Sequence, residues 1–90
     1  MEIKRQWVVY ILECGDGSFY TGITDDLTRR LAAHSGGKGA KYTRGRGPFT
    51  VRYVENSESH SAALRREYQI KCLSRAQKMN LCASSCKQSR

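Results

Sequence analysis

One glutamate of this chain falls on the apolar side of a predicted helix, where a charged group needs a partner. On a helical wheel Glu67 lies about 40° from Ala63, within the stripe that also carries Ile70. One interpretation is an ion pair with Arg66 or Lys71, or with a neighbouring helix. The other is a metal ligand, since Mg²⁺ typically takes one or two protein carboxylates plus water and phosphate oxygens. The sequence leaves both open.

A second set of polar side chains is concentrated between Ser18 and His34, in the stretch SFYTGITDDLTRRLAAH. Arg30 and His34 stand four residues apart, so they share one face of the helix predicted there. Each also has an ordinary explanation, because an arginine on a helix is usually solvated and a lone histidine is often a satisfied surface or core residue. Tyr10 and Tyr20 could fill a sheet surface. Only the convergence of these side chains would indicate a site.

Three strands and three helices are predicted to position these residues, in the order ββαβαα. The segments WVVYILE, FYTGI and FTVRYVE predict strands over Trp7–Glu13, Phe19–Ile23 and Phe49–Glu55, the last alternating through Phe49, Val51 and Tyr53. Helices are predicted over Asp25–Ser35 with Thr24 as cap, over Ser61–Leu73, and from the Ser74/Gln77 capping box to about Leu81. The predicted fold class is α+β, a small three-stranded antiparallel sheet flanked by helices. Residues 1–81 would form one domain, and 82–90 a flexible tail.

The loop between the first two strands decides whether the two tyrosines share a face, because a one-residue slip reverses every side chain. With a two-residue Asp16-Gly17 turn, Tyr10 would lie on the side opposite Tyr20. With a three-residue Gly15–Gly17 loop, Tyr10 faces Gly22 and both tyrosines share one face. A type I turn closed by Gly17 in the left-handed region suits the longer loop, which is our prediction.

The charge balance favours nucleic acid as the partner. Sixteen Lys and Arg against eight Asp and Glu give a formal net charge of +8. The segment GGKGAKYTRGRG holds five of the eight glycines and four basic residues without an acid, which predicts a mobile cationic loop. The candidates for phosphate contact are Arg29, Lys38, Lys41, Arg44, Arg46 and Lys71. A solvated basic surface is the alternative.

Other classes of protein are disfavoured by the sequence. The longest apolar run, Trp7–Leu12, has six residues, whereas a membrane span needs roughly 20. No charged-then-apolar signal segment opens the chain, so a cytoplasmic protein is expected. The four cysteines fit no common zinc spacing and are expected to be reduced: Cys14, Cys72, Cys82 and Cys86. We expect a monomer without a small-molecule cofactor.

Two short segments resemble the half-motifs of the GIY-YIG nuclease superfamily: VVY at Val8–Tyr10 and YTG at Tyr20–Gly22. The RRLAAH helix, the GKGAKYTRGRGPF stretch and the glutamate opening EYQIK are placed as in its small stand-alone bacterial members. Val8 stands where the name has Gly, and Thr21 where it has Ile. The resemblance covers about Trp7–Leu81. Related domains include the incision module of bacterial nucleotide-excision repair and the catalytic subunit of eukaryotic structure-specific endonucleases.

The resemblance implies a metal-dependent endonuclease that hydrolyses DNA phosphodiester bonds by in-line attack of water. Tyr10 and Tyr20 would flank the scissile phosphate, one of them orienting or deprotonating the water. Arg30 would stabilise the phosphorane charge, and His34 would assist by proton transfer or phosphate contact. Glu67 would hold one Mg²⁺ or Mn²⁺. Cleavage would be directed by structure, with little sequence specificity.

Two further alternatives stay open at the level of the sequence. A nucleic-acid binding module that cleaves weakly or not at all would show the same charge. RNA is also a possible substrate, because phosphate contacts do not distinguish the sugars. Gly22 is expected to let backbone or phosphate approach closely.

Overall fold

The computed structural model describes residues 6–37 and 43–88, with side chains as far as residue 83. Its elements are β1 (Trp7–Glu13), β2 (Phe19–Thr24), α1 (Leu27–Ser35), β3 (Thr50–Ser57), α2 (His60–Lys71) and α3 (Arg75–Gln88). The predicted α+β class and ββαβαα order are confirmed.

The sheet has β1 at its centre, paired antiparallel with β2 on one side and β3 on the other. Residues 8–12 of β1 are all buried, which explains the unbroken apolar run in a strand covered on both faces. In β3 the register shifts, so that Ile11 pairs with Tyr53 but Leu12 pairs with Val51. The intervening Arg52 is the extra residue of a bulge. The predicted alternation through Val51 and Tyr53 was therefore wrong, because the two side chains lie on opposite faces.

The β1–β2 hairpin has the predicted register. Tyr10 pairs with Gly22, and Leu12 pairs with Tyr20. Gly17 has φ +86°, and its N–H donates to the Cys14 carbonyl at 2.9 Å. The three-residue loop is confirmed, and both tyrosines stand on the same face of the sheet.

The two faces of the sheet have different surroundings. On one face Val9 and Ile11 pack with Ala63 and Ile70 of α2 and with Cys82 of α3, forming the hydrophobic core. The opposite face carries Tyr10, whose hydroxyl meets His34 of α1. The sheet therefore separates the hydrophobic core from the side that carries the contact between Tyr10 and His34.

Helix α1 begins later than predicted but ends at Ser35 as predicted, whereas α2 differs from the prediction at both ends. The N-cap of α1 is Asp26, whose carboxylate accepts from the Arg29 N–H at 3.1 Å. Thr24, the predicted cap, instead accepts from the Asp26 N–H through its hydroxyl at 3.1 Å, so the helix starts at Leu27 rather than Asp25. In α2, which spans His60–Lys71, the cap is Ser59. The prediction began one residue late and ended two residues too far on.

The third helix is longer than its sequence suggested. The capping box is confirmed, since the Ser74 N–H donates to Gln77 Oε1 at 2.9 Å and the Gln77 N–H donates to Ser74 Oγ at 3.2 Å. However, α3 runs to Gln88, so the predicted end near Leu81 was wrong. Cys82, expected in a flexible tail over 82–90, is 4% exposed and belongs to the core. No Gly or Pro stands between 82 and 88 to end the helix.

Candidate active site

A buried hydrogen-bonded chain joins β1, α1 and the segment that precedes β3. The Tyr10 hydroxyl lies 2.9 Å from His34 Nε2, and His34 Nδ1 lies 2.8 Å from Thr43 Oγ1. The three residues are each at most 1% exposed. Both ring nitrogens of His34 are engaged, so its orientation is fixed, and any influence on a reaction would pass through Tyr10. Thr43 was missed by the sequence reasoning, since a threonine between basic and glycine residues carries no signal of its own.

The protonation states of this chain follow from burial and from one neighbouring charge. Burial raises the pKa of Tyr10, so the residue is a neutral phenol near neutral pH. Burial, and then the positive charge of Arg30, lower the pKa of His34, which keeps the imidazole neutral. The guanidinium of Arg30 can only donate to the Tyr10 oxygen. A neutral imidazole has one N–H donor and one acceptor nitrogen, so His34 donates in one of its two contacts, with Tyr10 and with Thr43, and accepts in the other.

The guanidinium of Arg30 is the group in this cluster best placed to bind an anion. Its pKa is raised chiefly by its hydrogen bond with the Tyr10 hydroxyl, with a smaller contribution from Tyr20, so the guanidinium lies close to both tyrosines. Within the described part of the chain, its buried Nε has no hydrogen-bond partner. Leaving a buried donor without an acceptor costs about 1–3 kcal/mol, and the cost is higher when the donor is charged. A phosphate oxygen would supply the missing acceptor.

Aromatic rings complete this cluster. The ring centroid of Tyr20 lies 6.3 Å from that of Tyr10 and 5.4 Å from that of His34. Phe49 closes the other side, 5.9 Å from the His34 ring. Tyr20 is half-buried, whereas Tyr10 is fully buried. Of the two phenols, Tyr20 is therefore the more accessible to a substrate.

Gly22 is required by Tyr10 itself. A Cβ at Gly22 would lie 2.7 Å from the Tyr10 hydroxyl oxygen and 2.9 Å from Tyr20 Cε2. These distances are too short for any side chain at position 22. The Tyr10 phenol can therefore lie over β2 only because its cross-strand partner is a glycine. The group that lies against Gly22 is therefore a side chain, and the close approach of phosphate expected from the sequence stays a prediction.

Glu67 lies on α2 with its side chain 17% exposed. Its partner is Lys71, whose Nζ is 3.1 Å from Glu67 Oε2. Arg66, the other partner considered, instead donates from Nε to Glu55 Oε2 at 2.9 Å. The negative charge of Glu67 also contributes to raising the pKa of Tyr10, so its field reaches the tyrosine cluster.

The chemistry of the donors at this site fits a divalent cation held by a single carboxylate. Among the residues described, no three His, Cys, Asp or Glu side chains come together as a metal cage. An ion at Glu67 would therefore take its other ligands from water and substrate, which is the usual pattern for Mg²⁺.

The sequence shows which family this arrangement belongs to. Residues 6–80 match the family described as the GIY-YIG catalytic domain. The chain belongs to the GIY-YIG family. That description indicates a nuclease-type activity with a nucleic acid as substrate.

The GIY-YIG relatives include small stand-alone proteins of archaea and bacteria. A UPF0213 protein of Halobacterium salinarum is 61% identical over 70 residues, covering 78% of this chain and 91% of its own. A UPF0213 protein of Cupriavidus pinatubonensis is 52% identical over 83 residues, covering 92% of each. Their names state no activity.

Solved structures share the fold. The solution NMR structure of a UPF0213 protein from Bacillus halodurans is 52% identical, with a TM-score of 0.56, and the match covers 87% of this chain and 83% of that one. A protein of E. faecalis, also solved by NMR, is 38% identical with a TM-score of 0.65, covering 100% and 96%.

The half-motifs of this GIY-YIG chain lie on the paired strands β1 and β2. VVY places Tyr10 at the centre of β1, and YTG places Tyr20 and Gly22 directly beside it on β2. Arg30 and His34 reach the same place from α1. The structure thus brings together both tyrosines, the arginine and the histidine, with the charge of Glu67 nearby.

The predicted phosphate-binding residues differ in their surroundings. Arg29 and Arg44 are exposed, and Lys71 is 52% exposed beside Glu67. Lys38 and Lys41 lie outside the described residues.

No helix in the described part of the chain is long and apolar enough to cross a membrane.

Arg46 has a structural contact that the sequence did not suggest. It forms an ion pair with Asp16 in the β1–β2 loop. The Ser18 hydroxyl and N–H, and then Arg46, lower the pKa of Asp16 to about 2. The Gly15 N–H also donates to the Arg46 carbonyl at 2.6 Å. These contacts attach the segment that carries Thr43 and Arg44 to the hairpin.

Proposed function

We propose that this protein is a metal-dependent endonuclease that hydrolyses phosphodiester bonds of DNA and is directed by the structure of the nucleic acid rather than its sequence. The observation that carries this proposal is the buried Tyr10 hydroxyl held between His34 and Arg30. A buried tyrosine hydroxyl needs one hydrogen-bond partner for structural reasons alone, but a structural role does not call for a histidine and an arginine at the same hydroxyl. Binding of nucleic acid alone would not need them either.

The roles of the tyrosines follow from their different burial. Tyr10 is kept as a neutral phenol, which makes it a poor base and a fixed hydrogen-bonding group. Tyr20 is the more accessible, so it orients or deprotonates the attacking water. The water oxygen forms a new bond to phosphorus as the opposite P–O bond breaks; the attacking water gives up a proton to Tyr20 or to solvent, and the leaving oxygen takes one up from solvent. His34 holds Tyr10 in position.

Charge in the transition state is balanced by two groups. Arg30 donates to the phosphate, using the Nε–H that has no partner in the described structure. Glu67 holds the divalent cation, which when bound supplies positive charge to the reacting phosphate. Positioning and electrostatics would provide most of the rate acceleration.

A binding module with little or no cleavage is the second candidate. The contact that favours it is the ion pair between Lys71 and Glu67, since it gives the carboxylate a structural partner without any metal. A matched assay separates the two functions.

The experiment measures cleavage of labelled duplex, flap, junction and single-stranded DNA, and of single-stranded RNA, with Mg²⁺, Mn²⁺ or a chelator. We expect metal-dependent cleavage by the wild-type protein. Tyr20→Phe removes one hydroxyl and should lower the rate about 100-fold with little change in affinity. That variant, purified in parallel, also controls for contaminating nucleases. Absence of metal-dependent cleavage on every substrate would reject the nuclease in favour of the binding module.

A further inference from the structure

Helix α2 exposes an aromatic ring that neither the core nor the proposed catalytic cluster uses. Tyr68 is 70% exposed, and Leu64, four residues earlier, is 46% exposed. Residues four apart are neighbours on a helix surface. The two side chains therefore form a small apolar patch facing solvent.

This patch lies on the same flank of α2 as Glu67. From the direction of Glu67, the helical rotation passes Lys71 and Leu64 and reaches Tyr68 after about 100°. Lys71 lies on the Glu67 side of this rotation, since its Nζ is 3.1 Å from Glu67 Oε2. Tyr68 is thus little more than a quarter turn around the helix from the carboxylate proposed to hold the metal, rather than on the far side of the helix.

The charges around Tyr68 match a polyanion. Arg65 lies three residues before it and Lys71 three residues after it, and both are exposed. Glu67 is the one acid of α2. A single aromatic ring with a cation at each side offers a face for one base and contacts for the phosphates that flank it. A protein interface would be expected to bury a larger apolar area.

We propose that Tyr68 is a stacking platform for an unpaired nucleobase next to the scissile phosphate, so that the substrate is single-stranded or locally unpaired where it is cut. This inference rests on the proposed function and narrows its substrate class. Every base has a π-face, so stacking carries no sequence preference. In a continuous duplex the base faces are already covered by their neighbours, so Tyr68 would contribute little there.

The test measures binding rather than cleavage. Fluorescence anisotropy in the presence of a chelator gives the affinity of the full chain for a single-stranded oligonucleotide, a flap and a continuous duplex. Tyr68→Ser should weaken single-strand and flap binding at least about fivefold, with a smaller effect on the duplex. Tyr68→Phe keeps the ring and should bind like wild type. Met79→Ser is the matched control, since Met79 is 51% exposed on α3.

Four results would overturn the inference, three of them in the binding assay. Tyr68→Ser could leave single-strand affinity unchanged, it could weaken duplex and single-strand binding equally, or Met79→Ser could have the same effect. If wild type forms a dimer by light scattering and Tyr68→Ser does not, the patch is an interface between two copies instead. Because the assay contains no metal, a protein that fails to cleave but shows the Tyr68 effect would reject the nuclease and retain the platform.

Discussion

Tyr10 is the residue on which the candidate site depends most. Its hydroxyl is shared by His34 and Arg30, and its ring lies against Gly22. The His34 imidazole that bonds to this hydroxyl is held in its neutral form. The buried environment keeps it neutral by lowering the pKa of His34. The geometry of Tyr10 is therefore linked to pH.

This linkage predicts that the protein loses stability in mild acid. The unfolded chain binds a proton at His34 near its ordinary pKa of 6.5, whereas the folded protein binds it only at lower pH. The contribution is full above about pH 6.5 and is lost as the pH falls below it. As the pH is lowered through about 6.5, the melting temperature of the wild type should fall. That of His34→Gln should fall less steeply. Equal slopes for wild type and His34→Gln would contradict the assignment.

At the scale of elements, the hairpin sets the site by pairing Tyr10 with Gly22. Gly22→Ala places a Cβ 2.7 Å from the Tyr10 hydroxyl oxygen, so the ring or the strand must shift. We expect a loss of about 1–3 kcal/mol in unfolding free energy, together with loss of any cleavage. Gly36→Ala is the matched control, because its Cβ would come no closer than 3.4 Å to the Ala32 carbonyl oxygen. Urea unfolding measures both, and equal stability of the two variants would show that Tyr10 does not occupy this place.

The same elements show how far the sequence could predict the structure. The hairpin register was predictable because turn chemistry at Gly17 and strand alternation are local signals. The Ser74/Gln77 cap was predictable for the same reason. The bulge at Arg52 was not, because it depends on pairing with a strand distant in the sequence. The extension of α3 past Leu81 had a local signal that the prediction did not use, since no Gly or Pro stands between 82 and 88. Thr43 became part of the site only through the path of the segment before β3, which no local pattern specifies.

At the scale of the whole molecule, the net charge of +8 is unevenly available to a ligand. Arg66 is paired with Glu55, Arg46 with Asp16, and Lys71 with Glu67. The guanidinium of Arg75 lies 4.6 Å from the centroid of the Phe19 ring. Residues without such neighbours in the described chain, such as the exposed Arg44, are the better candidates for phosphate contact.

This difference predicts unequal salt dependence of DNA binding. The logarithm of the affinity for duplex DNA should fall linearly with the logarithm of salt concentration. Arg44→Gln should reduce that slope by about 0.9, the value for one phosphate contact. Arg46→Gln removes the same charge, but Arg46 is already paired with Asp16. The salt dependence of binding should therefore change less in Arg46→Gln than in Arg44→Gln. Identical slopes for the two variants would remove the distinction between paired and available cations.

The central claim is that Glu67 serves catalysis rather than folding, and Glu67→Gln tests it most directly. The ion-pair partner Lys71 is 52% exposed, so it returns to water when the carboxylate is lost, and the stability should change by only about 0.5 kcal/mol. DNA affinity should be similar or slightly tighter, because a negative charge near phosphate disappears. Metal-dependent cleavage should be abolished. Cleavage by Glu67→Gln at the wild-type rate, in a protein that folds and binds normally, would contradict the account.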